Sequence, residues 1–486
     1  MNLATLIEGH DADRPALVSR GRTTTYGTLR DQVARMRGAL AVRGVAPGDR
    51  VAIVAANNWY FVAAYLAVLG AGAVAVPLNP QSPGPEIERE LRATGACLAL
   101  VGHRGPQSTD GLDAADLPGY RGAVAVADLL DAEPAPVVDR APDDLAVLLF
   151  TSGTAGAPRP AMLTHGNLSS NIDQILANPE RPDGADEVVL GVLPLFHVFG
   201  LNAMLGVCLR VGGTVLLIER FDPHTTLEAV AEHGVTVLSG VPTMWSAWAD
   251  LPDASPEAMK TVRYAVSGAA PLAPAVRHEV RERLGVELTE GYGLTEASPA
   301  VTSGLGHGAP DGSIGVPLPG VSVRLVDIEG EDALVGDPGE IWVKGPNVFA
   351  GYWGDELATA AALTADGWLR TGDTAVVDDD GFLSLVDRSK DVIIVSGFNV
   401  FPAEVEEVLA QHEAVDAAAV VGVPHPHSGE AVRAYVVVRD GEHVDADELI
   451  EHASRHLARY KCPSTITFVD ELPQGPTGKV LRRSLR

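Results

Sequence analysis

The stretch RVAIVAANNWYFVAAYLAVLGAGAVAVPL, residues 50–78, decides the fold. It begins as a short apolar strand-length run and continues as a helix-length apolar segment. After Gly70 and Gly72 it closes on a second apolar run ending at Pro77. Strand, helix and buried strand in that order make a βαβ unit, and a βαβ unit implies a parallel sheet. The uncharged residues 59–78 are long enough to cross a bilayer. However, the glycines split them into two pieces, and much of the run is weakly apolar alanine. A second uncharged run, VVLGVLPLFHVFGLNAMLGVCL (188–209), is cut by Gly191, Pro194, Gly200 and Gly206 and carries His197. Both are expected in a buried α/β core.

Outward from this unit the same grammar recurs in ACLALVG, DLAVLLF, GTVLLIE, GVTVLSG and TVRYAVSG, each bordered by Gly, Asp or Thr. Residues 105–144 are rich in Pro, Gly and Asp and read as surface connection. From about residue 312 the texture changes to alternating strands with Gly and Asp turns, a β-rich portion spanning about 312–389. The last hundred residues alternate helix and strand again, entered through the charged seam VDRSKDVI. The expected architecture is α/β. A large N-terminal domain (1–389) has stacked, mostly parallel sheets plus the β-rich portion, and a small mobile α+β domain (390–486) follows.

The bulk numbers narrow the function. The chain has 486 residues, 46% apolar and 21% charged, which is globular and too long for one ordinary core. A net charge of −28 argues against non-specific grip on nucleic acid or adhesion to an anionic membrane. Cys97, Cys208 and Cys462 lie far apart with no C-x-x-C pair, and they read as small buried hydrophobes in a reducing compartment. No zinc spacing occurs. The opening MNLATLIEGHDADRP has no basic stretch followed by an apolar one, so no secretory signal is expected and the setting is expected to be cytoplasmic.

Several stretches carry chemistry. In LLFTSGTAGAPRPAMLTH (148–165) a buried strand breaks into Thr151, Ser152, Gly153, Thr154 and Gly156. Free backbone N–H groups beside hydroxyls suit a phosphate, and taken alone they suit an ordinary strand-to-helix turn better. The loop is not a Walker A, no complete Rossmann fingerprint occurs, and no G-x-S-x-G elbow is present. EGYGLTEASP (290–299) sets Tyr292, Thr295 and Glu296 within five positions: a ring to stack on a base, a hydroxyl for phosphate, a carboxylate for Mg2+. WLRTGDTAVVDDDG offers Asp373 on what reads as a turn. VDRSKDVIIVSGFNVF packs Asp387, Arg388, Lys390 and Asp391 together, and PQGPTGKVLRRSL presents Lys479 on a Pro/Gly turn. Each alone is an ordinary turn or a solvated charge run.

In order, TSGTAG, SGAAPL, GYGLTE, RTGD, DRSKDVI and PTGK resemble the successive core motifs of the adenylate-forming superfamily, which comprises acyl-CoA synthetases, luciferases and peptide-synthetase adenylation domains. The resemblance runs from TTTYGTLRDQVARMRGAL near the start to Lys479. It implies that a carboxylate is joined to AMP from ATP with loss of pyrophosphate, and that the acyl group then passes to CoA. Thr151, Ser152, Gly153, Thr154 and Gly156 would cradle phosphates. Ser267, Gly268, Ala269, Gly291, Tyr292 and Gly293 would frame adenine, while Asp373 and Arg388 would hold the ribose. Thr295 would touch the α-phosphate, Glu296 would hold Mg2+, and Lys479 would offset charge as the adenylate forms. Lys390 matches the hinge, and Gly397 in SGFNV would help form the CoA channel. His197, Val198 and Phe199, with Gly268 and Gly293, match the acyl pocket, and a plain core histidine remains the alternative for His197.

One departure stands out. The usual loop reads T-S-G-T-T-G-x-P-K-G, and here Ala155, Arg159 and Pro160 replace Thr, Lys and Gly. Arg159 keeps the charge and can grip phosphate, while Pro160 is expected to stiffen the loop. Malonate-activating relatives carry an arginine before the motif's aromatic, where this chain has Gly291. The pattern most resembles bacterial medium- and long-chain fatty acyl-CoA synthetases. Delivery to a carrier protein, a non-catalytic nucleotide-binding descendant and a homodimer stay open as alternatives.

Overall fold

The computed structural model describes the chain apart from residues 1, 103–117, 152–157, 179, 182–183, 185, 271, 328, 389–392, 401, 440, 474–484 and 486, and apart from the side chains of residues 386–388, 399 and 403. Arg50–Val54 and Val74–Leu78 are parallel neighbours, with Val51 opposite Ala75 and Ala52 opposite Val76. Helix Trp59–Gly70 joins them. Its first turn is capped by the Asn58 side chain, which accepts from the Tyr60 N–H. Gly72, at φ +74°, turns the chain back in the left-handed region that a β-carbon resists. The helix is buried throughout from Phe61, and helix Tyr26–Val42 packs on it. A β-carbon at Gly70 would come 2.6 Å from Arg37 Cδ, so the two helices touch where the side chain is missing. A helix apolar on every face belongs in a core. Among the described residues no helix is long and apolar enough to cross a membrane.

Two mostly parallel sheets share that core. One has the strand order Ala123–Ala125, Leu98–Val101, Arg50–Val54, Val74–Leu78, Leu145–Thr151 and Arg159–Thr164. The other runs Thr289–Glu290, Tyr264–Ser267, Val237–Gly240, Val188–Gly191, Thr214–Leu217, Pro15–Ser19 and Arg22–Thr25. A six-stranded sheet follows at 302–388, its strands from Thr302–Ser303 to Leu383–Arg388 paired antiparallel. Strands Ile393–Val395, Phe398–Val400, Val415–His425, Gly429–Val438 and Thr465–Phe468 make a further sheet. Helices Pro402–Ala410 and Ala446–His456 cover it around a core of their own that includes Val405, Leu409, Val420 and Leu449. The α/β class expected from the sequence is the observed one.

Two local readings change. The hydroxyl-glycine stretch joins strand to strand: Leu145–Thr151 pairs antiparallel with Arg159–Thr164, and the helix begins only at His165. Thr151 and Arg159 are ladder partners. Pro160 therefore lies in an edge strand, not in the loop. Its carbonyl accepts from the Trp353 N–H at 2.8 Å. In an antiparallel strand a residue's nitrogen and carbonyl point the same way, so the missing N–H faces away from Leu145–Thr151 and removes no rung. The TGD stretch is likewise strand, Leu369–Val377, with Gly372 at φ +68° and a register shift after Thr374. A bulge re-aims Asp373, where a turn was expected.

Candidate active site

A cavity of about 380 Å³ opens at the carboxyl ends of the seven-stranded sheet, the place where parallel α/β sheets bind ligands. Strand Val237–Gly240 ends in Ser-Gly and strand Tyr264–Ser267 ends on Ser267, and Ser239 lies opposite Val266 in register. Gly268 follows, and a β-carbon there would stand 3.0 Å from the Phe199 ring, so backbone and ring form a narrow waist. Ala269 continues at φ +66°, a conformation that costs a non-glycine residue about 1 kcal/mol or more. Phe199 opens a π-helical turn, Phe199–Gly206, and His197 and Val198 line the wall before it.

The segment after Thr289–Glu290 supplies the opposite wall. The Tyr292 N–H donates to Thr302 Oγ1 at 3.1 Å, and its phenol donates to Asp373 Oδ2 at 2.6 Å. The bulged strand thus delivers Asp373 to the aromatic. A β-carbon at Gly293 would lie 2.4 Å from the Pro299 carbonyl oxygen, so the chain folds tightly back and turns Thr295 and Glu296 into the cavity. At Gly291 a β-carbon would stand 2.7 Å from the Thr302 carbonyl. That leaves no room for the arginine of malonate-type relatives without moving backbone. Arg388 is the backbone partner of Asp373 across the sheet, and its side chain lies outside the described residues.

Thr151 Oγ1 lines the cavity, buried and without a hydrogen-bond partner among the described residues; Ser267 Oγ, outside the lining, is likewise buried and unpartnered among them. A buried hydroxyl left unpaired costs about 1–3 kcal/mol, and a phosphate oxygen arriving at Thr151 would relieve it. Ser152, Gly153, Thr154, Gly156, Lys390 and Lys479 lie outside the described residues.

Arg159 goes elsewhere. Its Nε pairs with Asp355 at 2.9 Å, and its guanidinium lies over the Tyr352 ring. The Tyr352 hydroxyl in turn donates to Glu296 Oε1 at 2.7 Å. Arg159 reaches the Glu296 carboxylate through an aromatic that sequence reasoning did not single out. No local signal marks Tyr352: an isolated bridge to Ala161, nearly two hundred residues away, brings it to the edge strand.

The last part of the chain closes the cavity. Gly397, at φ +84°, lines it and lies against Val241. Phe398 stacks on Tyr460 at 4.4 Å between centroids, and its edge meets His197 at 5.7 Å. Burial pushes the His197 imidazole down to about 4, helped by the Lys461 ammonium, so the ring is neutral near pH 7. Lys461 Nζ meets Glu86 at 2.6 Å and Glu404 at 3.0 Å, tying helix Gly84–Thr94 to helix Pro402–Ala410.

Residues 6–353 match the family described as AMP-binding enzyme, and residues 404–479 match the AMP-binding enzyme C-terminal domain. The chain belongs to the AMP-binding enzyme family. It is 40% identical to a feruloyl-CoA synthase of Amycolatopsis sp over 96% of this chain and 94% of that one. It is 36% identical to a long-chain-fatty-acid–CoA ligase of Yersinia pestis, covering 98% and 92%. Among solved structures, an o-succinylbenzoate CoA synthetase from Bacillus subtilis, bound with a product analogue, superposes with a TM-score of 0.90 at 30% identity, covering 100% of this chain and 98% of that one.

Two outcomes follow from this geometry. Thr151→Val should leave the melting temperature unchanged or slightly higher, since a methyl replaces an orphaned hydroxyl, and should raise KM for ATP by about threefold to tenfold. Thermal melts and an ATP titration check both. The double change Arg159→Lys, Pro160→Gly should leave carboxylate-dependent pyrophosphate release equal or higher. Lysine keeps the charge beside Asp355, and glycine restores an N–H that no rung uses; a collapse of activity would count against this assignment.

Proposed function

We propose that this protein is an ATP-dependent, AMP-forming acid–CoA ligase for an apolar monocarboxylic acid. The observation that carries the reading is that Gly397, from the last part of the chain, lines the same cavity as Thr151, Tyr292, Thr295, Glu296 and Asp373. One chamber thus holds both a nucleotide wall and a wall contributed by the segment expected to guide CoA.

In the first half-reaction the substrate carboxylate oxygen bonds to the α-phosphorus of ATP, and pyrophosphate leaves. Alignment and counter-charge matter more here than a base. Tyr292 with Asp373 would seat the adenosine, Thr151 and Thr295 would donate to phosphate oxygens, and Lys479 would neutralise the carboxylate and α-phosphate. Glu296 fits Mg2+, because a single protein carboxylate together with substrate phosphates suffices for this ion. Among the described residues no cluster of three or more ligating side chains offers an alternative. Magnesium would offset the charge on the phosphates. In the second half-reaction the CoA thiol attacks the acyl carbonyl and AMP leaves. This reading places a hinge at Lys390 between parts 1–389 and 390–486. The seating of Gly397 and Phe398 then corresponds to thioester formation.

The fatty-acid expectation draws support from the Yersinia pestis relative, and the test spans it. Pyrophosphate release is followed with acids from acetate to palmitate, with malonate and benzoate, each with and without CoA. Multiple turnovers that need both an apolar acid and CoA are expected. Turnover confined to malonate would overturn the pocket reading. Absence of carboxylate-dependent pyrophosphate release with every acid, hydroxycinnamates included, would overturn the function.

A further inference from the structure

The far end of the cavity is polar, and the chemistry proposed above leaves that end unused. The cavity follows the central strands from their carboxyl ends back toward their starts. There Val237 pairs with both Val189 and Tyr264, which sets three side chains abreast. Gly268 lies four residue steps beyond Tyr264, a depth of about 13 Å at ~3.3 Å per residue. The walls along the way are apolar, with Val198, Met204, Val266 and Leu272 among them.

At the floor the character changes. Arg181 grips Glu187 with both nitrogens, at 2.6 and 2.9 Å, and both side chains are buried. The Tyr264 hydroxyl sits beside this pair, within hydrogen-bond reach of Ser303. All four residues line the cavity. A terminal methyl pressed here would strip water from a phenol and an ion pair and offer no partner in return. An oxygen would offer one, since a tyrosine hydroxyl accepting from Ser303 can still donate. At the waist, the Phe199 ring faces Gly268 so closely that a single β-carbon would crowd it.

We propose that the acid taken by this site carries a hydrogen-bonding oxygen at the end opposite its carboxylate, as a hydroxycinnamate does, and that Tyr264 reads that oxygen. The inference rests on the acid–CoA ligase reading and narrows its substrate. The relative named as a feruloyl-CoA synthase is consistent with it.

The test compares kcat/KM for 4-hydroxycinnamate, cinnamate, octanoate and palmitate, with ATP and CoA saturating, in the parent protein and in Tyr264→Phe. The parent should favour 4-hydroxycinnamate over cinnamate by about tenfold or more, because a site built to bond a hydroxyl discriminates against its absence. Both fatty acids should be poorer still. Tyr264→Phe should leave cinnamate within about twofold and bring 4-hydroxycinnamate down toward it by roughly threefold to tenfold, the worth of one buried hydrogen bond. Equal parent values for the two cinnamates would overturn the inference. So would a preference for octanoate or palmitate, or a Tyr264→Phe loss shared by every acid. Brisk turnover of fatty acids alone would leave the ligase reading standing. Silence with all four acids and with the wider panel above would remove both.

Discussion

Lys461→Met should cut thioester formation from a supplied acyl-adenylate about a hundredfold or more, and should leave carboxylate-dependent ATP–pyrophosphate exchange within severalfold of the parent. Lys461 is only 9% exposed at its side chain and lies between Glu86 and Glu404. Glu86 also accepts the Ala458 N–H at 3.0 Å. Burial alone would lower the lysine, but Tyr460, Glu404 and Glu86 hold its ammonium well above the ordinary value. Removing the cation strands two buried carboxylates, a loss of about 3–5 kcal/mol. Separating the two surfaces relieves it by letting water reach both acids. The variant should therefore lose the seating of Gly397 and Phe398 before it loses the fold. If both half-reactions fell together, or neither fell, the assignment of this seating to thioester formation would be wrong.

Lys479→Ala should show the mirror image. By the proposed role, its ammonium stabilises charge that develops at the α-phosphate, and removing one such group costs about 10²–10³ in rate. Adenylation should fall by that factor, while thioester formation from a supplied acyl-adenylate persists. The two lysines would then report on opposite halves of one cycle. Equal damage to both halves from Lys479→Ala would refute the change of orientation.

The layers were legible because each βαβ unit is written locally. Residues 50–78 carry strand, helix and strand within thirty positions, and the motif order from Thr151 to Lys479 identified the chemistry. Contacts between segments far apart in the chain left no such trace. Tyr352 meets Glu296, and Lys461 meets Glu86, through the fold alone. Arg181 and Glu187 are near in sequence, yet only the placement of Tyr264 makes them a cavity floor. The reading of residues 151–160 as a strand-to-helix turn failed for a physical reason. A strand–loop–strand connection and a strand–loop–helix connection open with the same hydroxyls and glycines, and they differ only in what the returning chain pairs with. At Asp373 a glycine within a strand looks like a turn until the bulge is seen.

The acid group around Lys461 has one more member. Glu90 lies one helical turn beyond Glu86, with its Oε2 buried and unpartnered, and burial with Glu86 beside it lifts the carboxyl to about 8. Closing these surfaces therefore captures a hydrogen ion that open, hydrated surfaces would not hold between about pH 4.5 and 8. The raised carboxyl favours closure in acid, and that advantage drains away as pH rises from about 4.5 to 8, at up to about 1.4 kcal/mol per pH unit, and changes little further above 8. Thioester synthesis should fall relative to adenylation as pH rises toward 8 and level off beyond it, and Glu90→Gln should abolish that difference, as paired pH–rate profiles would reveal. Proton uptake thus becomes a hidden reactant of the proposed closure, and a shift from mild acid toward pH 8 becomes a way to hold the cycle at its halfway stage.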